Sequence, residues 1–244
     1  MQGRYVLAGL SAALVAGCGG SGDDNGGGSP GSGTPYNWVS PVLNSTRTYS
    51  EVIVDNSNNS IDTSFSVTVT AVNPDGSYSE LQSPGNPTVI VNGTNYAAEQ
   101  ESGQFDDSGR ELSYTYTTAG GSSGTCNFDP HGAGPSYPLQ VGQTWQINYN
   151  FACGTAAGVS YSQSGSVVGV EAVTVTAGSF TAIKLQSTLT WTDAQGTTRT
   201  QSILNWRDVA TMRTVKQQIS ISYSGTLPTN GYAVSRNLEL QSTS

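Results

Sequence analysis

Three thiols, one imidazole and a short acidic run are the side chains of this 244-residue chain whose types could do chemistry. Cys18, Cys126 and Cys153 form no CxxC pair, and His131 is the single histidine. A zinc centre needs several Cys or His ligands together, and a catalytic Cys needs a base beside it. The chain offers neither at recognisable spacing. Gly120-Gly121-Ser122-Ser123-Gly124 fits the G-x-S-x-G string, but a nucleophile elbow requires a strand before it and a helix after it. Here the string lies in a Gly/Ser-rich stretch, residues 119–136, that reads as irregular loop. His131 would be the base of any triad, with Asp129 close by; an Asp-Pro-His run reads first as a turn. No catalytic residue, metal or cofactor is therefore assigned, which leans away from an enzyme. Glu99, Glu101, Asp106, Asp107 and Glu111 carry oxygens of the kind a hard cation takes. Asp106-Asp107-Ser108-Gly109 equally reads as a hairpin turn, and the spacing is not that of an EF-hand. Trp145, Tyr149, Trp191 and Tyr223 sit at strand-like positions and read as core, whereas an exposed aromatic row would stack on sugar rings.

The elements that must position these groups are strands. Phe65-Val67-Val69-Ala71, Leu112-Tyr114-Tyr116, Trp145-Ile147-Tyr149-Phe151 and Ile219-Ile221-Tyr223 alternate with Ser, Thr, Gln and Asn. Val173-Val175, Ile183-Leu185 and Leu238-Leu240 repeat the pattern. Period two with one wet face predicts antiparallel sheet, because strands of a parallel sheet are apolar on both faces. Asn73-Pro74-Asp75-Gly76, Asn92-Gly93, Ser108-Gly109, Gln195-Gly196 and Ser224-Gly225 supply hairpin turns. No segment holds apolar residues at i, i+3, i+4 and i+7 over three turns. The expected fold class is all-β, a mainly antiparallel barrel, half-barrel or sandwich of roughly ten to thirteen strands over 36–244. Residues 119–136 could mark a boundary within it.

Composition narrows the partners. Nine Lys plus Arg against seventeen Asp plus Glu give a net charge of -8, so no basic footprint for nucleic acid exists. Residues 19–34, GGSGDDNGGGSPGSGT, have no apolar surface to offset the entropy of ordering. They read as a disordered tether, with a root-mean-square reach of roughly 20 to 25 Å for a Gly-rich coil of that length.

At the N-terminus, Met1 to Arg4 carry one positive side chain and Tyr5 to Ala16 form a short apolar run. That run is shorter than the roughly 20 residues a spanning helix needs. It ends in Val15-Ala16-Gly17-Cys18, which resembles the signal of bacterial lipoproteins. The resemblance implies cleavage after residue 17, acylation of Cys18 (palmitate among the chains) and a membrane as partner through that lipid. Gly19 rather than Asp after the Cys implies the outer membrane if the cell is Gram-negative. With Cys18 acylated, Cys126 and Cys153 are the two thiols left in an exported chain, and they are expected to pair as a disulfide.

A second resemblance covers about fifty residues. Tyr137-Pro138-Leu139-Gln140-Val141-Gly142-Gln143-Thr144-Trp145, followed by Val168-Gly169-Val170-Glu171-Ala172-Val173-Thr174-Val175-Thr176-Ala177-Gly178-Ser179-Phe180-Thr181-Ala182-Ile183-Lys184, is similar to motifs of uncharacterised bacterial secreted and lipoprotein β-domains. Some of these resemble the half-barrels of envelope lipid carriers, which hold cargo under helices; no such helix can be read here. The expected function is a lipid-anchored cell-envelope protein acting as a non-enzymatic binding or structural module. Alternatives are a carrier of a hydrophobic ligand in a half-barrel cavity and a carbohydrate-binding or carbohydrate-active surface protein. An envelope protein, a glycan or a hydrophobic ligand are the partners these readings imply.

Overall fold

The computed structural model describes residues 33–244, except 85–86, 92–93, 119–122, 133, 155–157 and 228–230; for 87–91, 94–99 and 118 it describes the backbone alone. Cys18, its flanking signal and most of the tether therefore lie outside the described residues. Thirteen strands follow in order: β1 (Thr46–Asp55), β2 (Ser60–Val72), β3 (Tyr78–Ser83), β4 (Pro87–Val91), β5 (Thr94–Phe105), β6 (Glu111–Thr118), β7 (Ser123–Asp129), β8 (Thr144–Cys153), β9 (Val159–Val175), β10 (Gly178–Thr192), β11 (Thr197–Asp208), β12 (Thr214–Gly225) and β13 (Ala233–Thr243). No helix occurs among the described residues.

Every pairing is antiparallel, and nearly every strand pairs with its sequence neighbours. Two contacts close the sheet. β1 pairs with β13, and β3 pairs directly with β5, leaving β4 outside as a hairpin partner of β5. The result is a closed barrel of twelve strands, not a half-barrel or a sandwich. The stretch expected to be irregular is corrected in part: β7 runs through it, with Ser123 to Asn127 paired with β6 and Cys126 to Asp129 paired with β8. The pairing is continuous across the place where a boundary could have been.

Alternation sorts each strand into two faces. Inward on β2 point Phe65, Val67 and Val69; on β8, Tyr149 and Phe151; on β12, Val215 and Ile219. Outward point short hydroxyls, and they meet across strands: Thr46 with Thr68 and Thr48 with Ser66 at 3.0 Å, Thr192 with Thr198 at 2.8 Å. Such rungs contribute roughly 0.2–1 kcal/mol each. Among the described residues, these outward hydroxyl rungs differ from the apolar band with which a membrane-spanning barrel meets lipid. Among the described residues, no helix is long and apolar enough to cross a membrane either.

One end of the barrel gathers the starts of β1, β3 and β8, the ends of β2, β5 and β9, and the N-terminal segment. We call it the tether end. Tyr36 exchanges backbone hydrogen bonds with Leu139, at 2.9 and 2.8 Å, and Leu139 is fully buried against Val167, Ile183, Leu185 and Met212. Trp38 lies 5.3 Å from the Tyr137 ring and 6.2 Å from Tyr78, with the Arg213 guanidinium 4.2 Å from its centroid. Gly109 turns the β5–β6 hairpin at φ 79°, and a Cβ there would come within 2.4 Å of the Trp38 ring. Gly109→Ala should therefore cost about 1–3 kcal/mol, combining left-handed strain with overpacking. A shift in tryptophan emission with a lowered unfolding midpoint is the expected result. An unchanged midpoint would show that the ring is not held there.

Candidate functional site

The interior of the barrel is where charge collects. Arg47, Glu51, Glu80, Glu101, Glu111, Arg207 and Arg236 are all less than 10% exposed. They sit there because the inward positions of β1, β3, β5, β6, β11 and β13 carry polar residues in place of the expected apolar ones. Arg47 Nη2 donates to Glu80 Oε1 at 2.7 Å, and Arg236 donates to Glu51 Oε1 from Nη2 at 2.6 Å and from Nε at 2.8 Å. Burial by itself would lower the Arg47 pKa, but Glu80 and the neighbouring tyrosines more than reverse this and hold it charged. Arg213 is driven down, by burial above all.

Glu111 behaves differently. Burial first, then the charges of Glu101 and Glu80, push its carboxyl up to about 8, so it holds its proton at neutral pH. Opposite, on β5, Gly103 leaves the room this needs. A Cβ there would lie 2.7 Å from the Phe105 ring and 3.5 Å from Glu111 Oε1. Close by, Gln82 Nε2 and Arg47 Nε find no hydrogen-bond partner among the described residues, and neither does Glu51 Oε2. Chemically, this cluster can store a proton and hold fixed charges in a buried interior.

Beyond the carboxylates runs a band of rings. Tyr114 stacks on Phe151 at 5.8 Å, Phe151 meets Phe128 at 5.0 Å, Tyr149 stacks on Tyr161 at 5.2 Å and Tyr161 on Trp191 at 5.1 Å. Arg199 ends the series, 5.7 Å from the Trp191 centroid and 5.8 Å from that of Tyr223. Burial raises the phenol pKa values of Tyr114, Tyr149 and Tyr161, chiefly by desolvation. Tyr149 and Trp191 are core residues as expected, while Trp145 and Tyr223 are half-buried.

The residues singled out in the sequence are not brought together. Cys126 and Cys153 face each other across β7 and β8 and form a disulfide, 27 residues apart in sequence. His131 is exposed, its Nδ1 3.2 Å from the Phe128 carbonyl oxygen. Gly120 to Ser122 lie outside the described residues, and Gly124 has become part of β7. The acidic run divides: Glu101 and Glu111 point inward, whereas Asp106 caps its own turn, accepting from the Ser108 and Arg110 amides at 3.0 and 2.9 Å. Glu99 has no described side chain, and Asp107 is exposed. Among the described residues, no group of three His, Cys, Asp or Glu is placed to hold a metal. Sequence reading missed Arg47, Glu51, Glu80 and Arg236; in one-dimensional form they break the apolar alternation and look like solvated positions.

The motif residues between Glu171 and Lys184 share one face of a hairpin. Glu171, Val173 and Val175 pair with Ala182, Phe180 and Gly178 across a two-residue turn at Thr176-Ala177. Glu171 accepts from Trp206 Nε1 at 2.5 Å and from Lys184 at 3.5 Å, and the Lys184 ammonium lies 4.9 Å from the Trp206 centroid. The hairpin tip reaches β13, where Ala177 N donates to Leu240 O at 3.2 Å.

No family model matches this chain, and no curated protein matches it. Solved structures do share its fold. A candidate lipoprotein from Parabacteroides distasonis aligns over 86% of this chain and 99% of its own, with 11% identity and a TM-score of 0.50. A candidate exported protein with a YmcC-like fold from Bacteroides fragilis aligns over 86% and 100%, with 10% identity and a TM-score of 0.50. At these identities the likeness establishes the architecture: this chain has the fold of those two exported-type β proteins.

Proposed function

We propose that the chain is a lipid-anchored protein of the bacterial cell envelope, held by acylated Cys18, whose barrel works as a non-enzymatic structural or binding module. The Val15-Ala16-Gly17-Cys18 signal and the names of the two structural neighbours, a candidate lipoprotein and a candidate exported protein, support the address. Palmitate on Cys18 and, from Gly19, attachment to the outer membrane of a Gram-negative cell belong to the same reading. The observation that carries the module is the barrel interior, occupied by its own ion pairs and stacked rings. A carrier of hydrophobic cargo would need an apolar cavity; this wall is closed, and Glu51 and Arg47 stand inside it at 1% and 7% exposure. A sugar-stacking surface is disfavoured too, since the exposed large hydrophobics among the described residues are all Val and Leu.

Cys18→Ser tests the address. The variant should appear in the soluble fraction or remain unprocessed, while the parent sediments with membranes. Equal membrane recovery of mature parent and variant would overturn the anchored reading.

A further inference from the structure

Exposed apolar side chains are unevenly placed on this barrel. Nine large hydrophobics are exposed among the described residues, and seven lie toward the tether end. Val39, Val42 and Leu43 belong to the segment that links the tether to β1, at 39%, 71% and 49% exposure. Val141 stands in the loop before β8, and that loop is tied to β9 by hydrogen bonds from Gly142 N to Val167 O and from Val167 N to Gln143 O, at 2.8 and 2.9 Å. Val168 and Val170 follow directly on β9, and Val72 ends β2. Only Val52 sits in mid-wall and Leu227 at the opposite end.

We propose that the tether end of the barrel rests on the lipid surface that carries the anchor, with Val39, Val42, Leu43, Val141, Val168 and Val170 entering its interfacial layer. This rests on the reading of Cys18 as the lipid anchor. Two observations select lipid as the occupant. Seventeen residues separate Cys18 from Tyr36, where the chain joins the barrel at this same end, so the rim that receives the chain is the part of the barrel nearest the anchor along the sequence. The rim is also apolar without a basic excess: Arg110 is paired with Asp106, and Arg213 is half-buried against Trp38. Asp75 and Asp107, on adjoining hairpins of that end, are exposed. The contact therefore depends on apolar burial rather than on attraction to anionic headgroups, and phosphatidylcholine suffices for it.

The test uses the full-length lipidated protein in phosphatidylcholine vesicles. Because Cys126 and Cys153 are bonded to each other and Cys18 is acylated, a single new Cys takes one nitroxide label. Leu43→Cys and Val168→Cys should become accessible to lipid-soluble oxygen and shielded from a water-soluble nickel complex, with an accessibility ratio about an order of magnitude above that of Leu227→Cys. Equal ratios at the three positions, in protein that sediments with the vesicles, would overturn the proposal and leave the anchor intact. Failure of the anchor itself is read separately, as protein that does not sediment at all. Val42→Asp combined with Leu43→Asp should return the label at position 168 to the ratio of position 227 while sedimentation persists; an unchanged ratio there would also count against the proposal.

Discussion

Arg236→Met should lower the stability of the folded barrel by about 3–5 kcal/mol, the cost of stranding a buried carboxylate. Glu51 is 1% exposed, and its Oε1 takes both guanidinium bonds, at 2.6 and 2.8 Å. Its Oε2 has no partner among the described residues, so removing Arg236 leaves the whole carboxylate unpaired and buried. The pair itself is not the source of that stability. Desolvating two ions largely cancels their attraction, and a well-packed apolar replacement is often neutral or better. Glu51→Leu together with Arg236→Met should therefore recover most of the loss. Urea midpoints of the parent, the single variant and the double variant decide the matter; a double variant no more stable than the single one would mean that the ion pair is required for more than mutual neutralisation.

Glu111→Gln should act in the opposite direction, and only over part of the pH range. In the unfolded chain this carboxyl titrates near 4.5; in the barrel it is pushed up to about 8 by burial and by Glu101 and Glu80. Below about pH 4.5 it is protonated in both states and stability does not depend on it. As pH rises from 4.5 to 8, the unfolded chain releases the proton while the barrel keeps it, so the barrel loses ground steadily. At about 1.4 kcal/mol per pH unit, the loss reaches roughly 3 kcal/mol at pH 7. Glutamine has the same shape and no proton to hold, so the variant should match the parent near pH 4 and exceed it increasingly up to pH 8. A parent whose unfolding midpoint is level across that window, or a variant with the parent's slope, would refute the assignment.

The same interior explains what could be read from the sequence. β2, β6, β8 and β12 announce themselves because their inward residues include Phe, Val, Tyr and Ile against outward Ser, Thr, Gln and Asn. β1 and β11 do not: Arg47-Tyr49-Glu51-Ile53 and Arg199-Gln201-Ile203-Asn205 point inward too, but charges and amides hide the period. Antiparallel pairing and scarcity of helix follow from alternation and turn chemistry alone. Closure could not be read so, because it depends on β1 meeting β13 and β3 reaching past β4 to β5, contacts that no local pattern encodes. The disulfide was legible through thiol number and the lipoprotein signal. The buried carboxylates were not, since a Glu on a strand looks solvated until the neighbouring strands are in place.

The seam between β1 and β13 sets an order of events for the chain. Thr46 and Ser244 bond to each other in both directions, at 2.8 and 2.9 Å, across 198 residues of sequence. One of the two inward charges on β1 is neutralised across that seam, Glu51 by Arg236 of β13. A chain emerging from a translocation pore with its N-terminus leading would expose β1 first and complete it last. Its hairpins can form as they appear, but the first strand waits for the final one. Until then Glu51 lacks its guanidinium partner, and the barrel closes only when β13 has been released.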